Sequence, residues 1–190
     1  MKSASFVWGL GLSRTGTTSL EKALKILDYN PIHYPYRFED IEGYDSGSDI
    51  PILLWFEDLD KKYPNSKFVW TERDIGSWLV SCKKYFARHS NPPQRVLELR
   101  QEFYGCLDFD EARFREAYYH YGAKVINYFK DRPEDLLVLR ITDGEGWEKI
   151  CPFLGKSIPN QLFPVANQAV KKTPMSKLRE TVKKIITFGQ

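Results

Sequence analysis

A glycine- and hydroxyl-rich stretch near the N-terminus has the residue types of an anion-binding loop. It follows the apolar run Phe6–Leu10 and precedes a segment with helical spacing of its apolar residues, which is the strand–loop–helix context of a phosphate-binding loop. Glycines let successive backbone N–H groups converge on one anion, and the start of the helix adds unpaired donors and a positive dipole end. The residues predicted to contact the ligand are consecutive: Ser13, Arg14, Thr15, Gly16, Thr17, Thr18 and Ser19.

The loop departs from the nucleotide-triphosphatase pattern GxxxxGK[ST]. Gly11 and Gly16 have the required spacing, but Thr17 occupies the lysine position. Because that lysine neutralises the β- and γ-phosphates of the nucleotide, the pattern argues against an ordinary ATPase and leaves Arg14 as the charged group of the loop. The alternative is a glycine-rich turn in which Thr17 or Thr18 caps a helix and binds no ligand.

A second basic position follows a later apolar run. Lys67–Glu72 is predicted to be a buried strand, Arg73 comes directly after it, and Asp74 is suited to cap a following helix. In such a helix Ser81 lies two turns in, about 10 Å along the axis, so that a phosphate held by Arg73 can also reach its hydroxyl. Ser77 lies on the same face. The alternative is a weak surface ion pair of Arg73 with a neighbouring carboxylate.

These two segments resemble the sulfotransferase superfamily. Its members carry Lys/Arg-Ser/Thr-Gly-Thr-Thr after the first strand, which Arg14–Thr18 matches, and later an Arg followed eight residues on by a Ser, which Arg73 and Ser81 match. The resemblance implies a P-loop-like fold and 3′-phosphoadenosine-5′-phosphosulfate as co-substrate, with the 5′-phosphosulfate on the loop and the 3′-phosphate on Arg73 and Ser81. Residues 63–74 and 146–155 resemble a branch of small sulfotransferase-like proteins.

One departure from the family concerns the adenine ring. At the position of Ser19, the hormone- and phenol-sulfating branch has a Trp that stacks on adenine. At the position of Arg14, that branch has Lys. The residues that bind adenine are therefore not predicted.

Sulfuryl transfer requires a cation on the departing phosphate and a base for the acceptor proton. Arg14 is predicted to be the cation, since a guanidinium stays charged at any relevant pH.

His33 and Asp49 are both candidates for the base. His33 ends a predicted strand, and parallel strands end at the ligand crevice, although a packed histidine would look the same. In related chains an Asp often occurs shortly before Pro and a helix, and Asp49 occupies such a position. The alternative is that Asp49 only caps the following helix. No cluster has metal-ligand spacing, so no metal is expected.

The elements that position these residues alternate between strands and helices. Four apolar runs predict strands, at Phe6–Leu10, Asn30–Tyr34, Lys67–Glu72 and Leu136–Ile141. Apolar spacing predicts helices after the loop, after Pro51, after Asp74, in two pieces between 92 and 130, at Gly144–Leu154 and at Ser176–Ile186. Tyr36–Ser48 is predicted to be a loop and Pro159–Pro174 an extended connection. The order predicts an α/β fold of three α/β/α layers, with a central parallel sheet of roughly four to five strands, in a single sulfotransferase-like domain over residues 1–190.

Composition limits the partners. Lys and Arg number 28 and Asp and Glu 25, giving a net charge of +3, which is too balanced for a nucleic-acid binder. The first apolar run is too short to span a membrane, and three cysteines without a spaced pattern favour reduced thiols in the cytoplasm. A small-molecule acceptor is expected, and nothing indicates an oligomeric state. The basic stretch from Lys171 to Lys184 is interpreted as a solvated helix face.

Three functions are compatible with these patterns. The first is a sulfotransferase acting on a hydroxyl or amine of a small acceptor. The second is a nucleotide- or phosphate-binding protein of the same fold without catalysis. The third is an atypical P-loop kinase, which is disfavoured by the missing lysine and by the lack of an aspartate in Thr71–Arg73 for magnesium.

Overall fold

Five parallel strands form the centre of the molecule. A computed structural model describes residues 5–89 and 91–166. The strands are β1 Val7–Gly9, β2 Pro31–His33, β3 Ser46–Ser48, β4 Lys67–Thr71 and β5 Leu136–Leu139. Their order in the sheet is β2-β3-β1-β4-β5, and every neighbouring pair is parallel. All five carboxyl ends therefore lie at one edge, where open α/β sheets bind their ligands.

Helices connect the strands and cover both faces of the sheet. They are α1 Thr17–Ile26, α2 Ile50–Leu54, α3 Phe56–Lys62, α4 Ile75–Arg88, α5 Gln94–Tyr104, α6 Glu111–Tyr128 and α7 Trp147–Leu154. Short 3-10 helices occur at Phe38–Ile41, Pro133–Asp135 and Ile141–Asp143. The predicted α/β/α fold and the predicted break of the 92–130 region into two helices are confirmed.

Helix starts follow from local side chains. The Asp74 carboxylate accepts from the Ser77 backbone N–H at 2.8 Å and so begins α4 where predicted. Asp110 begins α6 in the same way through the Arg113 N–H. Gly105 ends α5 in the left-handed conformation, with φ of 67°, which glycine adopts without a steric penalty.

The prediction that Tyr36–Ser48 is entirely a loop is wrong. Its last three residues form β3, which lies between β2 and β1, and four others form a 3-10 helix. β3 consists of Ser46, Gly47 and Ser48, all buried, and a side chain on Gly47 would approach Ile52 and Ile32 to about 3.0 and 3.1 Å. Small residues are therefore needed where β2 and α2 pack closely, and a run without apolar side chains carries no strand signal.

Two apolar clusters lie on the two faces of the sheet. Successive strand residues point to opposite faces, so Trp8 and Phe68 pack in one cluster while Val7 and Val69 pack in the other. The first cluster includes residues of α2, α3, α4, α5 and α6, and the second includes residues of α1 and α7. Both faces of the parallel sheet are thus covered, as buried parallel strands require.

Part of the C-terminal prediction lies outside the described residues. This applies to the predicted helix Ser176–Ile186, to the basic stretch from Lys171 to Lys184 and to the end of the predicted connection Pro159–Pro174. Residues 156–166 contain neither helix nor strand. Within the described ranges, no helix has the length and apolar character needed to cross a membrane.

Candidate active site

The loop between β1 and α1 is shaped by two glycines. Gly16 has φ of 118°, a conformation that side chains rarely adopt, and it lies against Ile141. A Cβ on Gly11 would lie only 1.6 Å from Thr71 Oγ1, so β4 leaves no room for a side chain there. The chain consequently passes close to β4 and enters α1 directly after Gly16.

Hydrogen bonds from three elements brace this loop. Thr15 Oγ1 donates to the Leu12 carbonyl at 2.6 Å and lies 2.7 Å from Thr71 Oγ1 of β4. The indole N–H of Trp78 in α4 donates to the Ser13 carbonyl at 2.9 Å. The Ser13 and Thr17 hydroxyls donate to opposite oxygens of Asp49, directly after β3. The loop is therefore held in one shape before any ligand binds.

Most hydroxyl groups of the loop are engaged in contacts within the protein. Thr15 is buried, and both its hydroxyl and its N–H bond within the loop. Ser13 and Thr17 use their protons on Asp49, and Ser19 Oγ accepts from the Ala166 N–H at 2.9 Å. Backbone N–H groups at the start of α1 have no intrahelical partner, and this helix has neither a side-chain cap nor an acid in its first turn. The backbone is thus the main donor of the loop, with the Thr18 side chain beside it in the cavity.

Two arginines meet beside the loop. Arg14 Nε donates to Ser81 Oγ at 3.3 Å, and its guanidinium carbon lies 5.2 Å from the centre of the Tyr85 ring. Arg73 donates to the Arg14 carbonyl at 3.1 Å and to Ser77 Oγ at 3.0 Å. Burial lowers the pKa of Arg73, and the Arg14 charge lowers it further. Two guanidiniums placed this closely favour the binding of an anion between them.

The two arginines contact different serines of α4. Ser81 contacts Arg14, while Arg73 contacts Ser77, the serine one turn earlier on α4. The alternative surface ion pair of Arg73 does not form among the described residues, because Glu72 pairs with Arg140 and Asp74 caps α4. Arg14 itself has φ of 76°, an unusual conformation for a side chain that large.

His33 and Asp49 lie together at the ends of two neighbouring strands. His33 Nδ1 is 3.2 Å from Ser48 Oγ and 3.6 Å from a Glu21 oxygen, and Nε2 is 3.8 Å from Asp49 Oδ2. Asp49 has φ of 87°, is 5% exposed, and also accepts from the Ile50 N–H at 2.8 Å. The cap interpretation of Asp49 is therefore correct, but the same carboxylate also holds the loop.

One cavity of about 1040 Å³ brings these groups together. The predicted residues among its walls are Ser13, Arg14, Gly16, Thr17, Thr18, Ser19, His33, Asp49 and Arg73. Thr15 and Ser81 are not among them; Ser81 contacts the cavity residue Arg14. Among the described residues, no group of three or more His, Cys, Asp or Glu side chains is arranged to hold a metal ion.

Sequence comparison agrees with this arrangement. The model of a sulfotransferase domain matches residues 6–41 and 38–171. The chain belongs to the sulfotransferase domain family. It is also similar to the Ava biosynthesis cluster protein M of Aspergillus versicolor, with 29% identity over 205 aligned positions that cover 82% of this chain and 78% of that protein.

The cavity of this sulfotransferase domain is also lined by residues that the sequence analysis did not identify as site residues. They include Tyr34, Tyr85, Phe86, Val96, Arg100, Tyr104 and Val165. Three of them, Val96, Arg100 and Tyr104, occur at four-residue steps in α5, a periodicity visible in the sequence. That spacing identifies one face of the helix but not the cavity, which forms only when α5 packs near the ends of the strands.

Proposed function

We propose that this member of the family is an enzyme that transfers the sulfuryl group of 3′-phosphoadenosine-5′-phosphosulfate to a hydroxyl or amine of a small acceptor. The observation that carries the proposal is the pairing of Arg14 and Arg73 at an uncapped helix start, in the same cavity as His33 and Asp49. An anion site and a candidate base are what sulfuryl transfer requires. The cavity is large enough for a nucleotide and an acceptor together.

The donor would bind along the loop and the arginines. We propose that backbone N–H groups of Gly16, Thr17 and Thr18 bind the 5′-phosphosulfate, because the start of α1 has unpaired donors and carries the positive end of the helix dipole. Arg73 and the serines of α4 are proposed to hold the 3′-phosphate, since the lowered pKa of Arg73 reflects a charge that a phosphate would compensate. Arg14 lies between the two sites through its contacts with Arg73 and Ser81.

In the proposed step, the acceptor atom attacks sulfur in line with the departing oxygen. The bond between sulfur and the bridging oxygen breaks, its electron pair stays on adenosine 3′,5′-bisphosphate, and the acceptor proton passes to the base. Arg14 stabilises the charge that develops on the departing phosphate, as electrostatic groups do in phosphoryl transfer.

His33 is the better candidate for the base. Asp49 accepts three hydrogen bonds, from Ser13, Thr17 and the Ile50 N–H, and is almost fully buried. The His33 side chain is 33% exposed, and its Nε2 lies beyond hydrogen-bond distance from Asp49. We therefore assign proton transfer to His33 Nε2 and orientation of the imidazole to Ser48, whose Oγ lies 3.2 Å from Nδ1.

The partners, the location and the domain organisation belong to the same proposal. We propose a small-molecule acceptor. All three cysteines are free, which supports a cytoplasmic enzyme. We propose no nucleic-acid or membrane partner, and a single domain over residues 1–190.

Calorimetry with adenosine 3′,5′-bisphosphate and with ATP plus magnesium tests the donor. We expect tighter binding of the bisphosphate, and turnover of the phosphosulfate with a panel of phenols, alcohols and amines. Preference for ATP would overturn the proposal in favour of an atypical kinase. Binding of the bisphosphate without turnover of any acceptor would favour a non-catalytic nucleotide-binding protein.

A pH–rate profile tests the base. His33→Ala should remove the acid limb of the profile, while Asp49→Ala should lower the rate without removing that limb. An unchanged profile in both variants would exclude both residues as the base.

A further inference from the structure

Helix α5 contributes three residues to the wall of the cavity. Val96, Arg100 and Tyr104 lie on one face of this helix, and all three line the cavity. Aromatic side chains surround them, among them Phe86 and Tyr34. This wall is mostly apolar and contains the polar groups of Arg100 and Tyr104, which is the usual composition of a small-molecule site.

Arg100 is a buried charge that has no carboxylate partner among the described residues. It is only 4% exposed, and it donates to the carbonyls of Leu107 and His89, each at 3.2 Å. Its guanidinium carbon lies 4.1 Å from the centre of the Phe86 ring. Within residues 5–89 and 91–166 it forms no ion pair, and its two carbonyl partners hold the guanidinium in place without neutralising it. Buried charges are normally paired.

Tyr104 has a buried hydroxyl that finds no partner in the described part of the chain. The residue is 4% exposed, and its ring is stacked on Phe114 with centres 3.9 Å apart. Its Oη is buried and has no hydrogen-bond partner in the described part of the chain. Burial raises the pKa of this hydroxyl well above its usual value, so it remains a protonated donor. Unpaired buried donors are rare in native proteins, and each requires an explanation.

We propose that Arg100 and Tyr104 form a carboxylate subsite, and that the acceptor is a hydroxyl-bearing aromatic carboxylic acid. The inference rests on the proposed sulfuryl transfer. One guanidinium and one neutral O–H match the single charge and the two oxygens of a carboxylate. The aromatic walls receive the ring of the acceptor, and its hydroxyl faces His33 at the other end of the same cavity.

This subsite determines which end of the acceptor reacts. With the carboxylate held by α5, the hydroxyl at the opposite end of the ring points toward the ends of the strands, where the donor is proposed to lie. A neutral phenol of the same size would leave Arg100 and Tyr104 without a partner after water has been excluded. Polar sites of this kind discriminate strongly against analogues that lack the matching group.

The experiment compares an acid with its own ester. The probes are 3-(4-hydroxyphenyl)propanoate, 4-hydroxybenzoate and the methyl ester of each, titrated by calorimetry with and without adenosine 3′,5′-bisphosphate. We expect the better of the two acids to bind roughly tenfold or more tightly than its ester, as for a hydrogen-bonded charge. Tyr104→Phe should reduce that preference several-fold, and Arg100→Gln should abolish it.

Two controls separate the subsite from general effects. Tyr121→Phe removes the hydroxyl of a tyrosine that stacks on Phe103, and Arg115→Gln removes a charge from the exposed face of α6. Both should keep the preference of the wild type. Tyr104→Phe removes only an unpaired hydroxyl, so its melting temperature should not fall, and this variant remains informative if Arg100→Gln fails to fold.

The possible results distinguish failure of the subsite from failure of the proposed function. Equal affinity for acid and ester, failure of both acids to bind, or an unchanged preference in Tyr104→Phe would overturn the subsite. If the acid is preferred but neither the bisphosphate nor the phosphosulfate is used, the subsite stands and the proposed function fails. If esters and acids are sulfated equally well, the proposed function stands and the subsite fails.

Discussion

The carboxylate of Asp49 accepts a hydrogen bond from the Thr17 hydroxyl at 2.8 Å. This contact joins the residue after β3 to the first residue of α1, and the other oxygen of the same carboxylate accepts from Ser13. Asp49 Oδ2 is also 3.8 Å from His33 Nε2. One buried side chain thus holds the proposed phosphate loop at two points and lies beside the proposed base.

Asp49→Ala should therefore impair nucleotide binding as well as turnover. The change leaves the donors of Ser13, Thr17 and Ile50 without their acceptor, so we expect the affinity for adenosine 3′,5′-bisphosphate to fall by roughly tenfold. His33→Ala should leave that affinity unchanged while kcat falls by about 10²- to 10⁴-fold. Calorimetry and steady-state kinetics measure the two effects. Wild-type affinity in Asp49→Ala would show that the loop keeps its shape without this carboxylate.

Arg14 and Arg73 should differ in what they contribute. We expect Arg14→Ala to lower the rate of sulfuryl transfer by about 10²- to 10³-fold, with a smaller effect on nucleotide binding, since its charge acts on the departing phosphate. Arg73→Ala should reduce the preference for adenosine 3′,5′-bisphosphate over adenosine 5′-monophosphate. Titration of both nucleotides into each variant measures this preference. If Arg73→Ala binds the bisphosphate as well as the wild type does, the 3′-phosphate lies elsewhere.

Gly11→Ala should disrupt the loop, because the new Cβ would lie 1.6 Å from Thr71 Oγ1 and 2.8 Å from Thr15 Oγ1. We expect a lower melting temperature and loss of bisphosphate binding. Gly122→Ala is the matched control: it lies inside α6, and its Cβ would meet Trp70 at 3.6 Å, an ordinary contact. That variant should be as stable as the wild type or more stable by about 0.5–1 kcal/mol. Unaltered binding in Gly11→Ala would contradict the close approach of the loop to β4.

Asp60 should make stability depend on pH. Burial acts to raise the pKa of Asp60, but hydrogen bonds from Arg132 and Tyr128 outweigh it and lower the pKa below its ordinary value. A lowered pKa contributes stability above the unfolded-state value, and that stability is lost as the pH falls through the folded-state value. We expect Asp60→Asn to cost about 1.5–3 kcal/mol at pH 7, and the difference from the wild type to shrink below about pH 4.

Urea denaturation between pH 7 and pH 3 measures this dependence. Asp58→Asn serves as the control, because the Asp58 side chain is 69% exposed and forms an ion pair with Lys61 at 3.4 Å. The effect of this substitution on stability should be small at every pH. A cost for Asp60→Asn that stays constant down to pH 3 would mean that the ion pair with Arg132 does not govern the pKa of this carboxylate.

Local patterns in the sequence were sufficient for the fold and for part of the candidate site. Alternation of apolar runs with helical spacing predicted the α/β layers, and the glycine-rich segment after Phe6–Leu10 predicted a loop that enters a helix at the sheet edge. The Asp74 cap was also predicted, because a cap depends on residues adjacent in the chain. β3 was missed, since Ser46–Ser48 contains no apolar residue and pairs only because its neighbours accept small side chains.

The partners of the polar side chains were decided by the tertiary structure alone. The sequence by itself determined that Arg14 and Arg73 follow strands and that Ser81 lies two turns into α4, but the packing of α4 against the loop is what brings Ser81 to Arg14. The same holds for Asp49, because two of its three hydrogen-bond donors, Ser13 and Thr17, lie far from it in the sequence. It also holds for Arg100 and Tyr104, which line the cavity only because α5 packs near the strand ends. Hydrogen bonds and buried charges depend on distances of a few ångströms between segments that are far apart in the chain, and periodicity carries no information on those distances.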